Sequence, residues 1–157
     1  MGNGKSCDLH EDADGMSSGT SLREGTWQKI QLPVIPDRRG NLTAIEARQQ
    51  VPFDIERVYY LYDVPGGSER GGHAHEALQQ LVIAVSGSFD LHLDNGRDRE
   101  VIHLARSFYG VLIGSRVWRT IDNFSSGSVC LVLASMPYAE DDYYRDYDKF
   151  MRVQNRG

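Results

Sequence analysis

The chain has 157 residues, of which 40% are hydrophobic and 25% charged, and its net charge is −5 at neutral pH. That length fits one domain with a real core, and 17 Lys and Arg residues spread without a run exclude a general nucleic-acid or anionic-membrane surface. Two cysteines, Cys7 and Cys130, and no apolar stretch near the ~18 residues of a membrane helix argue against a disulfide framework or a spanning segment, and point to the cytoplasm.

Residues 1–24 are rich in Gly, Ser and Asp without apolar periodicity, which predicts a disordered leader ahead of one domain over 25–157. Within it, Met1-Gly2-Asn3-Gly4-Lys5-Ser6 matches the loose patterns for myristoylation and for the end of a phosphate loop; short polar tails produce both by chance. From Trp27 onward the chain becomes short β-like runs at 27–32, 41–47, 57–62, 79–86, 88–93, 99–104, 107–113, 117–124 and 129–135, separated by Gly, Pro, Asn and Asp. Asp94-Asn95-Gly96 predicts a hairpin with a tight primed turn, putting Phe89, Leu91 and Leu93 on one face and Asp90 and His92 on the other. Cys130 falls in an apolar run and reads as a small core residue. In the segment 140–150, Tyr143, Tyr147 and Phe150 are spaced by four and three, which puts them on one helical face and predicts a short helix or an irregular segment packing its aromatics over one end of a barrel. The pattern is all-β, a jelly roll or small barrel.

The chemistry concentrates at Arg70-Gly71-Gly72-His73-Ala74-His75-Glu76. Two histidines one residue apart on a strand project to the same side, here towards the mouth of a barrel. The spacing Gly67, five residues, His73-Ala74-His75, four residues, Gln80, six residues, Gly87 follows the first metal-binding motif of the cupin superfamily, with glutamine where the glutamate belongs. The second motif falls on Gly114, Arg119 and Asn123, with arginine in place of histidine. A divalent ion wants about four imidazole or carboxylate ligands, whereas Gln80 is a weak neutral donor and the Arg119 guanidinium repels a cation, so no metal is expected. Without a metal, imidazoles suit proton abstraction beside a carbonyl; the bland alternative is a pair of interior histidines that merely find hydrogen-bond partners. His10, His92 and His103 stand outside the constellation and receive no role.

Further residues extend the pattern: Asp37-Arg38-Arg39-Gly40-Asn41-Leu42 and Glu46, Val58-Tyr59-Tyr60-Leu61-Tyr62, Val117-Trp118-Arg119, Asp122-Asn123-Phe124-Ser125-Ser126, Val132-Leu133-Ala134-Ser135 and Asp142-Tyr143-Tyr144-Arg145-Asp146-Tyr147-Asp148-Lys149-Phe150. Together with the histidine motif they resemble the metal-free cupins that act as dTDP-4-keto-6-deoxyglucose 3,4-ketoisomerases, the FdtA/QdtA-like (WxcM-like) family, from about Trp27 to Phe150. The resemblance implies a cupin jelly roll with a short C-terminal helical segment, a homodimer exchanging N-terminal strands, dTDP-4-keto-6-deoxyglucose as substrate, no cofactor, and a place in deoxyamino-sugar synthesis. By position it implies His75 as base or shuttle, His73 as its relay, and Tyr60 as donor to the sugar oxygen that becomes anionic. Arg39, Arg119, Arg145 and Tyr62 would bind substrate. Arg119 leans towards a gluco product and Arg39 beside Gly40 towards a galacto one, so the configuration at carbon 4 stays open. Competing readings are a related cupin epimerase, which would use a His-Asp base while no aspartate follows the paired histidines, a non-catalytic sugar-nucleotide-binding cupin, and a metal-dependent oxygenase.

Overall fold

The computed structural model describes residues 22–156. Most of the expected leader, with Cys7, His10 and Gly4-Lys5-Ser6, lies outside the described residues. Leu22 to Glu24 belong to the folded body instead: the Leu22 amide donates to Gln79 Oε1, and Glu24 pairs with Arg116 at 2.9 Å.

Among the described residues ten strands, β1 (Trp27–Gln31), β2 (Arg57–Leu61), β3 (Arg70–His75), β4 (Gln80–Ser86), β5 (Phe89–Asp94), β6 (Arg99–Leu104), β7 (Tyr109–Ile113), β8 (Trp118–Asp122), β9 (Val129–Ala134) and β10 (Tyr143–Tyr144), precede one α-helix, α1 (Tyr147–Gln154), with a 3-10 turn over Glu140–Asp142 before β10. They form two five-stranded sheets, ordered β1-β7-β4-β9-β2 and β10-β3-β8-β5-β6, with antiparallel pairing throughout. The all-β jelly roll is as expected. Its interior is filled from both sheets by Val82, Phe89, Leu91, Leu93, Leu104, Val111, Ile121, Cys130 and Val132. Burial pushes the Cys130 thiol up to about 12, the behaviour of a packing residue rather than a reactive one.

A second cluster covers the outer face of the first sheet, where Leu32, Val51 and Phe53 pack on Leu81, Ile83, Leu112 and Leu133. This explains why β4 reads as an unbroken apolar run: both its faces are covered, and alternation disappears where neither face meets water. It also explains why residues 41–47 form no strand. That segment lies in the covering layer and makes only isolated bridges, Ile35 to Leu42 and Ala47 to Val51, because Leu42 and Ile45 are three apart and do not share a strand face.

Three other local expectations change. The β5–β6 hairpin forms and Phe89, Leu91 and Leu93 face inward, but Asp94 pairs with Arg99, so the loop has four residues. Asn95 Oδ1 accepts from the amides of Arg97 and Asp98, and only Gly96 takes positive φ, at 88°. The Asx-type bonding of Asn95 replaces the primed turn. At the C-terminus the helix begins at Tyr147, capped by Asp146 accepting from the Lys149 amide at 2.8 Å. Tyr143 therefore sits not on that helix but in β10, paired with His75. Finally, Gly71 and Gly72, expected in a turn, lie inside β3 at φ 85° and 71°, where the register with β8 shifts. This glycine bulge re-aims the histidines that follow it.

Candidate active site

A cavity of about 650 Å³ opens between the sheets, lined by residues of β2, β3, β4, β5, β8 and β9 and by the 138–145 segment. Its walls carry His73, Arg119, Arg145, Arg57, Arg70, Tyr59, Gln80, Tyr138 and Tyr143 among apolar Leu61, Val82, Leu91 and Val132.

β2 supplies one wall with the face opposite to the one expected. Arg57, Tyr59 and Leu61 point into the cavity, while Val58, Tyr60 and Tyr62 are exposed at 55%, 58% and 61%. Tyr60 and Tyr62 are thus removed from this chain's cavity, and Tyr59 takes the inward place. The run Val-Tyr-Tyr-Leu-Tyr has apolar or aromatic residues at both parities, so its period of two cannot select a face, and a slip of one residue inverts every side chain.

β3 presents the histidines at two depths. His73 lines the cavity and lies opposite Arg119 on β8. His75 is fully buried behind it, with ring centroids 4.9 Å apart in an edge-on arrangement, and the Tyr143 ring 4.3 Å away. Burial, and then the Arg119 charge, bring the His73 pKa down to about 4. The same two causes hold His75 far below the ordinary imidazole range, so both rings are neutral at pH 7. His75 Nδ1 lies 3.0 Å from Asp142 Oδ2, and Asp142 also accepts from the Ala77 amide at 2.8 Å. A neutral imidazole facing a carboxylate carries its proton on that nitrogen, which leaves Nε2, buried without a hydrogen-bond partner, as a bare lone pair. The aspartate thought to be missing is present, 67 residues along the chain, brought in by the β10–β3 pairing.

β4 and β8 fill the remaining ligand positions of the cupin pattern. Arg119, 3% exposed, donates from Nη1 to Gln80 Oε1 at 2.9 Å and from Nη2 to the Val117 carbonyl at 2.6 Å. Gln80 Nε2 in turn donates to the Tyr59 hydroxyl at 2.9 Å. Burial draws the Arg119 pKa down to about 10, which still leaves it cationic at neutral pH. A fixed positive charge bonded to the glutamine does not fit a divalent ion, and among the described residues no three His, Cys, Asp or Glu side chains converge as a ligand set.

The mouth is cationic and aromatic. The Arg57 guanidinium lies 5.2 Å from the Tyr59 ring and 5.6 Å from that of Tyr138, and Arg145 sits 4.3 Å from the Tyr143 ring. Arg145 also pairs with Glu140 at 2.7 Å, rather than with the neighbouring aspartates, and this with the Tyr138 hydroxyl holds the Glu140 carboxyl down to about 2. Arg39 is not at this cavity: its side chain is 90% exposed and forks onto Asp37. His92 and His103, given no role, pair on the outer surface with Asp122 and Asp90.

A jelly roll enclosing a histidine-lined, cation-ringed cavity defines a cupin, one in which Gln80 and Arg119 are bonded to each other at two of the usual ligand positions. The chain belongs to the FdtA family, described as WxcM-like, C-terminal, whose model matches residues 26–155. It is 42% identical over 123 residues, 78% of this chain and 88% of the relative, to a TDP-4-oxo-6-deoxy-alpha-D-glucose-3,4-oxoisomerase of Aneurinibacillus thermoaerophilus. Among solved structures it is similar to a 3,4-ketoisomerase from Helicobacter canadensis, with TM-score 0.80, 42% identity and coverage of 82% of this chain and 97% of that one. It is also similar to a mutant of the 3,4-ketoisomerase QdtA from Thermoanaerobacterium thermosaccharolyticum in complex with TDP-4-keto-6-deoxyglucose, with TM-score 0.81, 38% identity and coverage of 83% and 94%.

Proposed function

We propose that the chain is a TDP-4-keto-6-deoxyglucose 3,4-ketoisomerase whose proton-transferring base is His73, with His75 and Asp142 behind it as relay and tautomer lock. The observation that carries this is the placing of a neutral imidazole on the cavity wall opposite a buried, fixed cation. This reverses the order in which the resemblance ranks the two histidines, because only His73 lines the cavity.

In the reaction His73 takes the proton from carbon 3, the bonding pair becomes the C3–C4 double bond, and the carbonyl oxygen at carbon 4 becomes anionic. Arg119 supplies the positive field for that charge, and a tyrosine hydroxyl its hydrogen bond. The oxygen at carbon 4 gains a proton, the hydroxyl at carbon 3 loses one, and the imidazolium returns its proton to carbon 4, leaving the ketone at carbon 3. The depressed pKa leaves the ring unprotonated at pH 7, free to accept a proton, and makes its conjugate acid a ready donor in the return step. Arg57, Arg70 and Arg145 at the mouth suit a diphosphate, and Tyr138 and Tyr143 a base or sugar face.

The catalytic unit includes residues 22–156 and acts in the cytoplasm as a homodimer. The free, buried Cys130 suits a reducing compartment. The exposed face of β2, and the bridged pair Ile35 and Leu42, each 55% exposed, suit a partner copy. Arg39, remote from its own cavity, would serve the partner's through strand exchange.

The test is turnover of TDP-4-keto-6-deoxyglucose in deuterated water, followed by NMR. The 3-keto sugar is the expected product, carrying deuterium at carbon 4 where the imidazolium exchanges with solvent before returning its proton, with the configuration at carbon 4 deciding gluco against galacto, and His73→Asn lowers kcat at least ~100-fold. A ketone remaining at carbon 4 with exchange beside it makes the protein an epimerase, and binding without turnover makes it a binding module.

A further inference from the structure

Arg116, between β7 and β8, has φ 52°. A long L side chain in that left-handed region is disfavoured and persists only where its surroundings over-determine it, which is most often beside a working site. Here the surroundings do so from four sides. The Arg116 amide donates to the His75 carbonyl at 2.7 Å, and its own carbonyl accepts from Gln154 Nε2 of α1 at 2.8 Å. Its guanidinium forks onto Glu76, Nε to Oε2 at 3.1 Å and Nη2 to Oε1 at 2.5 Å, while Nη1 reaches Glu24 Oε1 at 2.9 Å. An isolated surface ion pair contributes little, but a bidentate pair tied into a network fixes geometry.

Glu76 passes that hold on to the C-terminal segment. Its backbone amide donates to the Asp142 carbonyl at 2.8 Å, and its carboxylate accepts from the Tyr144 hydroxyl. The Arg116 guanidinium holds the Glu76 carboxyl below its usual range, so at neutral pH it is an anion and accepts only. β10 needs such an anchor. With two residues it is shorter than an ordinary strand, and the residue immediately before it is the one whose carboxylate faces His75 Nδ1.

We infer that Arg116 and Glu76 are positioning residues for proton transfer: a clamp outside the cavity that fixes β10 on β3 and so holds the Asp142 carboxylate against His75. Neither side chain lines the cavity, so both act only through the His75–Asp142 pair. The effect on turnover rests on the ketoisomerase reading; the effect on the His75 ring does not.

The experiment compares wild type, Arg116→Gly, Glu76→Gln and the double variant by kcat and KM for TDP-4-keto-6-deoxyglucose, by TDP affinity, and by the His75 tautomer read from long-range ¹⁵N–¹H NMR. Arg116→Gly separates side chain from backbone, because glycine takes the left-handed conformation without steric cost and only the clamp is lost. A small displacement of the carboxylate lowers its kcat about 10-fold, with KM and TDP affinity within ~3-fold of wild type. The His75 ring, held with its proton on Nδ1 in wild type, then shows both tautomers. Glu76→Gln keeps the shape and removes the charge, and gives the same loss; the double variant lies within ~3-fold of either single one, because each change opens the same clamp. Should Arg116→Gly fail to bind TDP, Glu76→Gln decides the matter. Full kcat in Arg116→Gly, a loss of kcat with His75 still protonated at Nδ1 alone, or single losses that multiply in the double variant overturns this inference and leaves the ketoisomerase reading standing. A wild type that makes no 3-keto sugar overturns that reading, and the tautomer comparison then decides the clamp by itself.

Discussion

Asp142→Asn isolates the role of the carboxylate behind the histidines. Asp142 Oδ1 accepts from the Ala77 amide at 2.8 Å, while Oδ2 faces His75 Nδ1 at 3.0 Å and the Leu78 amide at 3.4 Å. An asparagine of the same shape keeps its oxygen on Ala77 and turns its NH2 towards two donors. His75 relieves one clash by moving its proton from Nδ1 to Nε2, so that Nδ1 accepts; the Leu78 amide has no such escape. Trading hydrogen bonds to a charged acceptor for one neutral bond and one unsatisfied amide costs about 2–3 kcal/mol, roughly 6–15 °C in Tm for a domain of this size. The larger effect is on catalysis. The lone pair that faced the buried interior now carries a proton, and kcat falls about 10–100-fold while TDP affinity is retained. Long-range ¹⁵N–¹H NMR reads the tautomer and calorimetry the stability. A variant whose His75 stays protonated at Nδ1 and melts within ~1 °C of wild type refutes the assignment of Asp142 as tautomer lock.

The pH dependence follows from the depressed imidazoles. His73 titrates near 4 in the fold against 6.5 when unfolded, so its contribution to stability is fully present above about 6.5. It is lost as pH falls towards 4, to a total of about 3 kcal/mol, and His75, also depressed, acts in the same direction. Denaturant midpoints measured from pH 8 to 4.5 should fall with acid, and His73→Asn should flatten the slope by about one proton. Over the same range kcat/KM should show no loss centred near pH 6.5, because the base is already unprotonated; an acid limb there contradicts the burial argument. The bulge offers a third check. At Gly71, φ is 85° and a Cβ would lie 2.9 Å from the Arg119 carbonyl oxygen, whereas Gly127, at φ 70°, has nothing within 4 Å. Gly127→Ala should cost only about 1 kcal/mol with activity intact, while Gly71→Ala costs about 2–4 kcal/mol and lowers kcat by pushing β8 away from His73. Equal effects of the two substitutions on kcat contradict the claim that the bulge sets the site.

Legibility differed by element. Strands with one covered face, such as β5, were readable from alternation alone, and the His73-Ala74-His75 spacing identified the wall that carries chemistry. β2 was ambiguous for a physical reason: aromatic residues at both parities satisfy either face, so Tyr60 was expected where Tyr59 stands. For Tyr143 the spacings of four and three to Tyr147 and Phe150 fit a helical face, but its partner across β10 is His75, and strand pairing with a distant segment leaves no periodic trace in two residues. Asp142 was invisible for the same reason. It is buried directly after the exposed acidic pair Glu140 and Asp141, a run that by composition alone reads as a solvated surface. The relative depth of the two histidines depends on the glycine bulge, and that became evident only from the register shift between β3 and β8.

The joining of β10 to β3 bears on how the protein is made. Tyr138, Asp142, Tyr143 and Arg145 leave the ribosome after all nine other strands, yet they close the cavity and anchor the inner histidine. A nascent chain halted before this stretch holds both imidazoles but neither the carboxylate nor the aromatic wall, so on the proposed mechanism proton transfer waits for residues 138–145.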